Sequence, residues 1–391
     1  MSSLLQFIAE QTSGTFYKSA RYCVDAEVNI PSLSYDDPQY FTIQRDKFGE
    51  TDTSLRTTKD LKQLARQIQH TEAPLFSYFL DGSRRVYKVD DIAYQKRIFP
   101  VVGGQVGVAC CERKSPDTFR TAIFENHLVL SLPTLAASDG MGRPELFFGN
   151  LLSQINEMQR LKRFGLQFSE VLPYNSDRND GGREEYMDRG TVKIQAKMIA
   201  SEKKVVEELV RNNLLNQDNY LIKDGSLQYP KTGIKAVDIE TARFRSNFRR
   251  VVGVSKLFNP EFSKDKRGQS NASAIADLLP YHRTPVAMYQ ESRVGNVYFA
   301  IWYVRIRERK HSDSPFAGVV KLEKILVTDD EQNYGLDSSE VDRITANIIN
   351  ERNPVCYGKD QRWANHLYPV YLTETFIKSR YLSDLYFINL F

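Results

Sequence analysis

Two short apolar runs, LFSYFLDGS at 75–83 and YLIKDGS at 220–226, end in the same tripeptide, Asp-Gly-Ser. Each run is too short for a helix and rich in aromatic and branched residues, which predicts a buried strand closing on a turn. A carboxylate at such a strand end is held rigidly, and the glycine beside it lets substrate backbone approach closely. A single Asp-Gly-Ser is also what a plain turn looks like, since Asp and Gly are favoured there for backbone reasons. Two copies, each after an apolar run, weaken that reading. They point to a pair of strand-end carboxylates, Asp81 and Asp224, that can share hard divalent cations.

The remaining patterns supply a sheet to carry them. RRVYKVDDI, IFPVVGGQVGVACCER and FRTAIFENHLVLSLP predict a meander between about 75 and 135. RRVVGVSKLF, VYFAIWYVRIR and FAGVVKLEKILV predict three later strands. Residues 1–72, with leucines at helical spacing in SLRTTKDLKQLARQIQ, predict a mostly helical N-terminal region ahead of a main domain at 73–391. Within that domain, 136–190 reads as an insertion in which loop-like ASDGMGRPE and NSDRNDGGREE flank the helical LLSQINEMQRLKRFG. Helices are further expected over 191–213, at SSEVDRITANIINER with Ser338 or Ser339 as N-cap, and at LYPVYLTETFIKSRYLSD. The fold class that follows is α/β or α+β, a sheet with helical cover.

Bulk properties narrow the function by exclusion. No apolar run approaches the roughly 20 residues needed to cross a bilayer, and no basic n-region precedes the first apolar stretch, so a cytoplasmic protein without membrane partners is expected. Cys23, Cys110, Cys111 and Cys356 form no CxxC pair and read as free thiols, buried at 110–111. There is no phosphate-loop motif, no His-Glu-x-x-His and no Gly-x-Ser-x-Gly. Any motor activity must therefore come from another protein. The net charge of +4 does not announce a nucleic-acid binder, but its distribution does more. RFRSNFRR places Arg243, Arg245, Arg249 and Arg250 around two phenylalanines, and a second basic run spans Arg305 to Lys310. Such runs neutralise phosphates and stack bases, or they are solvated faces over buried Phe.

The helix before Asp224 supplies a third acid. Ile194, Met198, Val205, Val206 and Leu209 share one face by 3.6-residue periodicity, and Glu202 lies in the middle of that stripe, whereas Glu207 and Glu208 point away. A buried carboxylate costs several kcal/mol unless a cation offsets it, so Glu202 requires either an Arg or Lys partner or a metal. Two strand aspartates and one helix glutamate form the acidic set used by RNase H-like nucleases. LFSYFLDGS, the acid-bearing helix, YLIKDGSL, VVGVSK, VYFAIWYVRI and LYPVYLTETFIKSR occur in the order of the NurA nuclease family, which the chain resembles from about residue 75 onward.

That resemblance implies an RNase H-like core, a homodimer, and manganese-dependent (or magnesium-dependent) cleavage of DNA. It also implies partnership with a hexameric HerA-type translocase. On matching positions, Asp81, Glu202 and Asp224 are the implied metal ligands. Lys256, in Gly-Val-Ser-Lys, lies near a phosphate or in the site wall, or is a solvent lysine at a strand end. The family often carries a His or Asp in its terminal segment. Here Phe376 falls at that place, with Glu374 and His366 as nearby substitutes. The expected function is a DNA nuclease working in end resection or phage defence. The alternative is a scaffold that has lost catalysis and only docks DNA or regulates the translocase.

Overall fold

A computed structural model of the chain describes residues 3–24, 41–43, 47–137, 144–177, 182–228, 243, 245–265, 267–291, 297–308, 314–354 and 365–391. Cys356, Arg309 and Lys310 lie outside the described residues, as do parts of ASDGMGRPE, NSDRNDGGREE and RFRSNFRR. Among the described residues fourteen strands make one mixed sheet flanked by helices. They are β1 (Thr15–Tyr17), β2 (Tyr22–Cys23), β3 (Phe41–Ile43), β4 (Lys59–Asp60), β5 (Phe76–Tyr94), β6 (Arg97–Ser115) and β7 (Thr118–Pro133). There follow β8 (Phe168–Tyr174), β9 (Tyr220–Asp224), β10 (Val251–Ser255), β11 (His282–Arg283), β12 (Ala287–Glu291), β13 (Val297–Arg305) and β14 (Val319–Leu326). The main path runs β3-β12-β13-β14-β10-β9-β5-β6-β7-β8.

The expected meander is present, with one correction. Asp81-Gly-Ser is not a turn. RRVYKVDDI does not start a new strand but continues β5, and Asp81, Gly82 and Ser83 pair in register with Ala109, Val108 and Gly107 of β6. The chain reverses instead at Gln95-Lys96, both at positive φ (48° and 67°). That is the backbone a two-residue hairpin needs to match strand twist. Asp81 is nevertheless beside a strand end, because its neighbour β9, parallel to β5, pairs no further along than Leu80↔Lys223. Asp224 ends β9 as expected. Gly225 follows at φ +78°, a conformation that disfavours any side chain there.

Two other expectations change. The N-terminal region holds helices at Leu4–Gln11 and Lys62–Thr71, but the segments between contribute β1, β2, β3 and β4. β1 and β2 pair with β5, and β3 with β12. Helical spacing in 55–68 thus described one helix and not the whole region. In the 136–190 stretch the helix expected over LLSQINEMQRLKRFG is two helices, Pro144–Glu157 and Gln159–Arg163, the first starting within the expected loop, and β8 extends the sheet parallel to β7. The long helix begins at Gly182 and runs to Arg211.

Side-chain alternation gives the sheet two distinct faces. Tyr78, Leu80, Leu221 and Val251 pack with Val205, Val206 and Leu209 of the long helix. Phe79, Ile222, Val252 and Val254 pack on the opposite side with Val341 and Ile344 of helix Ser338–Asn350 and with Val370 of helix Tyr368–Ser379. No helix among the described residues is long and apolar enough to cross a membrane.

The N-terminal segment is pinned by a buried ion network. Arg283, fully buried, donates to both oxygens of Glu50 (2.9 and 2.7 Å) and to Asp342 (2.8 Å), and Asp342 also meets Lys59 at 2.6 Å. Removing one partner leaves an uncompensated buried charge. Arg283→Met is expected to cost about 3–5 kcal/mol in denaturant unfolding, because buried Glu50 then loses the guanidinium and keeps only the Val286 amide at 2.9 Å. An unchanged midpoint would show that the network contributes nothing.

Candidate active site where strand β9 ends

The sheet brings Asp81 and Asp224 onto one face. Asp81 alternates with Leu80 and Gly82, Asp224 follows Lys223, and both point with Phe79 and Ile222 toward the C-terminal helices. Two further residues arrive there. Lys256 continues β10, whose Val254 is paired with Asp224, so the lysine reaches past the end of β9. Glu374 comes from helix Tyr368–Ser379, whose proline near its first turn presets the entry.

The lysine is the centre of the cluster. Its Nζ donates to Asp224 Oδ2 at 2.8 Å, lies 3.1 Å from His366 Nε2 and stands 3.6 Å from Glu374 Oε2. His366 Nε2 is also 3.0 Å from Glu374 Oε2. Lys256 is 7% exposed and His366 2%. The lysine backbone is fixed as well, since Asn365 donates its amide to the Lys256 carbonyl at 2.9 Å.

The electrostatics follow from burial. Asp81 is 5% exposed. Burial, then the repulsion of Asp224, holds its carboxyl well above the ordinary carboxylate range. Lys256 opposes that rise, while Glu374 and Glu202 add to it. Burial pulls Lys256 down, but Asp224, Glu374 and Asp81 outweigh it and leave the ammonium raised. Burial would raise Glu374 too, yet hydrogen bonding from His366 and the charges of Lys256 and Lys378 hold it well below the usual range. Beyond Asp81 on the same face, Tyr381 meets Ser83 and accepts from the Gly107 amide at 3.2 Å. Its hydroxyl is pushed up to about 12, chiefly by burial.

Glu202 occupies a different place from the one expected. It is buried on the long helix and its Oε2 lies 3.4 Å from Lys223, so the cationic partner it requires is a lysine. Its other oxygen sits against Gly82, where an added Cβ would meet it at 2.4 Å. Gly82 and Lys223 alternate with Asp81 and Asp224, so Glu202 approaches from the other side of the sheet. Among the named charges acting on Asp81, its effect is the smallest. The acid that shares the aspartates' face is Glu374. Phe376 is not in the cluster; its ring packs against Phe124 at 5.1 Å.

The basic runs also separate from the site. Arg250 lies just before β10 and its guanidinium is over the Tyr220 ring, bonded to the Tyr220 hydroxyl and 3.7 Å from Glu340. Tyr220 begins β9, so residues 246–250 of that run stand at the opposite end of the strand from Asp224. Arg243 and Arg249 are exposed and Arg245 is half-buried. Arg305 is fully buried and donates to the carbonyls of Ala276, Leu278, Pro315 and Ala317, which makes it a loop tie.

The donors facing Lys256 are oxygens and one imidazole, a set that hard divalent ions accept. Among the described residues, no three His, Cys, Asp or Glu side chains are set to hold one metal ion. The acceptors stand 2.8–3.6 Å from Nζ, longer than the roughly 2.0–2.6 Å of hard-ion coordination by oxygen. The donor chemistry therefore fits a divalent ion, and the point of convergence is held by the protein's own cation. No family model matches this sequence, and no curated protein matches it.

A carboxyl raised in the folded state contributes stability that is intact below its unfolded value of 3.8 and lost as pH climbs through the folded value. Asp81→Asn, in chelator, is therefore expected to be more stable than the parent at neutral pH, with the gap closing toward about pH 4. Urea denaturation across that range tests it. A parent that is the more stable at neutral pH would contradict the burial argument.

Proposed function

We propose that this chain is a divalent-metal-dependent DNA nuclease with an RNase H-like core, the activity that its resemblance to the NurA family implies. The observation that carries the reading is a buried Asp81 beside a partly exposed Asp224 on adjacent parallel strands, with Glu374, also partly exposed, close by. Clustered carboxylates of which one is desolvated are costly to stability, and such a cluster is a functional-site candidate. The strand arrangement adds support. An antiparallel meander, β5-β6-β7, is extended from β5 by two parallel strands, β9 and β10, with the long helix placed between β7 and β9 in the chain. An RNase H-like sheet is built that way.

In this reading Asp81, Asp224 and Glu374 hold the ion, with His366 oriented by Glu374 at the edge of the set. A bound divalent ion supplies Lewis-acid polarisation of the phosphodiester and activates the attacking water. Asp81 and Asp224 fix its position because both backbones are locked in the sheet. Glu202, paired with Lys223, buttresses the far side of Gly82 and keeps that strand in place. Mn2+ or Mg2+ is the proposed cofactor and DNA the proposed substrate. A homodimer, a HerA-type hexameric partner and a role in DNA repair or phage defence remain part of the same proposal.

A second reading has a specific observation in its favour. Lys256 and Lys223 already neutralise acids of the expected set, as in a scaffold that binds DNA without cutting it. Cleavage of linear DNA in Mn2+ separates the two. The nuclease reading expects digestion that chelator stops and that Asp81→Asn or Asp224→Asn reduces to the chelator background. Glu202→Gln, acting through the support of the site, is expected to lose about tenfold to a hundredfold. Salt-sensitive DNA binding with no strand scission in any metal would leave only the scaffold.

A further inference from the structure

The environment of His366 Nε2 is internally inconsistent for a neutral hydrogen-bond network. Lys256 Nζ lies 3.1 Å away and can only donate, while Glu374 Oε2 lies 3.0 Å away and, ionised, can only accept. One ring nitrogen cannot present a lone pair to the first and a proton to the second. His366 Nδ1 is buried with no hydrogen-bond partner among the described residues, so nothing there fixes the tautomer. A cation of higher charge in place of the ammonium removes the conflict, because Nε2, Glu374 Oε2 and Asp224 Oδ2 can then all serve as electron-pair donors to it. The geometry points the same way. Lys256 stands 2.8 Å from Asp224 and 3.6 Å from Glu374, whose other oxygen meets Lys378 at 2.6 Å, so the buried ammonium is the cation at the centre of the set.

We infer that Lys256 is a resident stand-in for the metal. Its ammonium neutralises the acids while the protein is metal-free, and it leaves their centre when a divalent ion enters. The inference rests on the metal-dependent reading given above. Displacement has a thermodynamic consequence: every metal-binding event includes the loss of the Lys256 ion pairs, so the lysine lowers affinity and the metal-free fold depends on it. The released ammonium, still tethered by Asn365 at its carbonyl, is then free to meet a phosphate oxygen.

Mn2+ binding measured without any nuclease assay tests this, by electron paramagnetic resonance of free Mn2+ and by thermal shift. Lys256→Met keeps the length of the side chain and removes the charge. Metal-free, this variant is expected to melt below the parent. It is expected to bind Mn2+ at least about tenfold more tightly, with a larger Mn2+-induced rise in melting temperature. A second measurement on the unmodified protein covers a variant that fails to fold. Amine acetylation read by mass spectrometry should label Lys256 slowly in chelator and faster in saturating Mn2+. Equal or weaker Mn2+ affinity in the variant, or Lys256 labelling unchanged by bound Mn2+, overturns the displacement while leaving the metal-dependent reading in place. If neither protein takes up Mn2+, the metal-dependent reading itself falls and the displacement with it.

Discussion

A buried ammonium surrounded by carboxylates sets the terms for the rest of this molecule. Asp81, buried, could not stay ionised beside Asp224 and Glu374 unaided, since a desolvated carboxylate facing like charges is driven toward its protonated form. Lys256 is what makes the arrangement tolerable, and several elements exist in the form they do to deliver it. β10 runs parallel to β9 in a register that places Val254 opposite Asp224, so the next outward residue on the same face falls beyond the end of β9. Asn365 then clamps the lysine carbonyl, and its own side-chain oxygen receives the Gly318 amide, which ties the end of β10 to the start of β14. The C-terminal helix completes the ring by lowering Glu374 onto the same point.

The sheet sorts charge by parity. Consecutive residues of β9 supply Lys223 to one face and Asp224 to the other, and consecutive residues of β5 do the same with Gly82 and Asp81. Each face therefore has its own acid-lysine pairing, Glu202 with Lys223 and Asp224 with Lys256. This interleaving keeps two buried charge systems within a few residues of each other without mixing their partners. It also explains why Gly82 is a glycine: a side chain on that face would occupy the position of the Glu202 carboxylate.

Much of this was legible in the sequence, and the failures have identifiable causes. The paired Asp-Gly-Ser runs located both aspartates, and the apolar stripe located Glu202 together with its need for a counterion. Sequence could not choose between a lysine and a metal for that need, because Lys223 comes from a strand whose facing depends on register. Asp81-Gly-Ser reads as a turn by composition, yet β6 continues to pair across it, and tertiary pairing overrides the local preference. Glu374 and His366 were visible only as neighbours of a position filled by Phe376. Their role depends on which side of helix Tyr368–Ser379 meets the sheet, and helical periodicity alone leaves that open. The convergence on Lys256 had no local signal at all, since its partners lie 32, 110 and 118 residues away.

The runs of arginine show a strong local signal that lies apart from the carboxylate cluster. RFRSNFRR groups four arginines in eight residues, yet its end at 246–250 sits at the entry end of β9 with Arg250 committed to Tyr220. Arg305 of the second run spends its donors on four carbonyls. Arg307 is half-buried, and desolvation lowers its pKa to about 10. The positive charges near the acids are dispersed in sequence: Lys256, Lys378 on Glu374, and Arg85, which lies on the Asp81 face against Asp384 and the Tyr381 ring. Proximity in space, and not density along the chain, therefore decides which basic residues act on the carboxylates, and such proximity is created only when β5, β10 and helix Tyr368–Ser379 assemble.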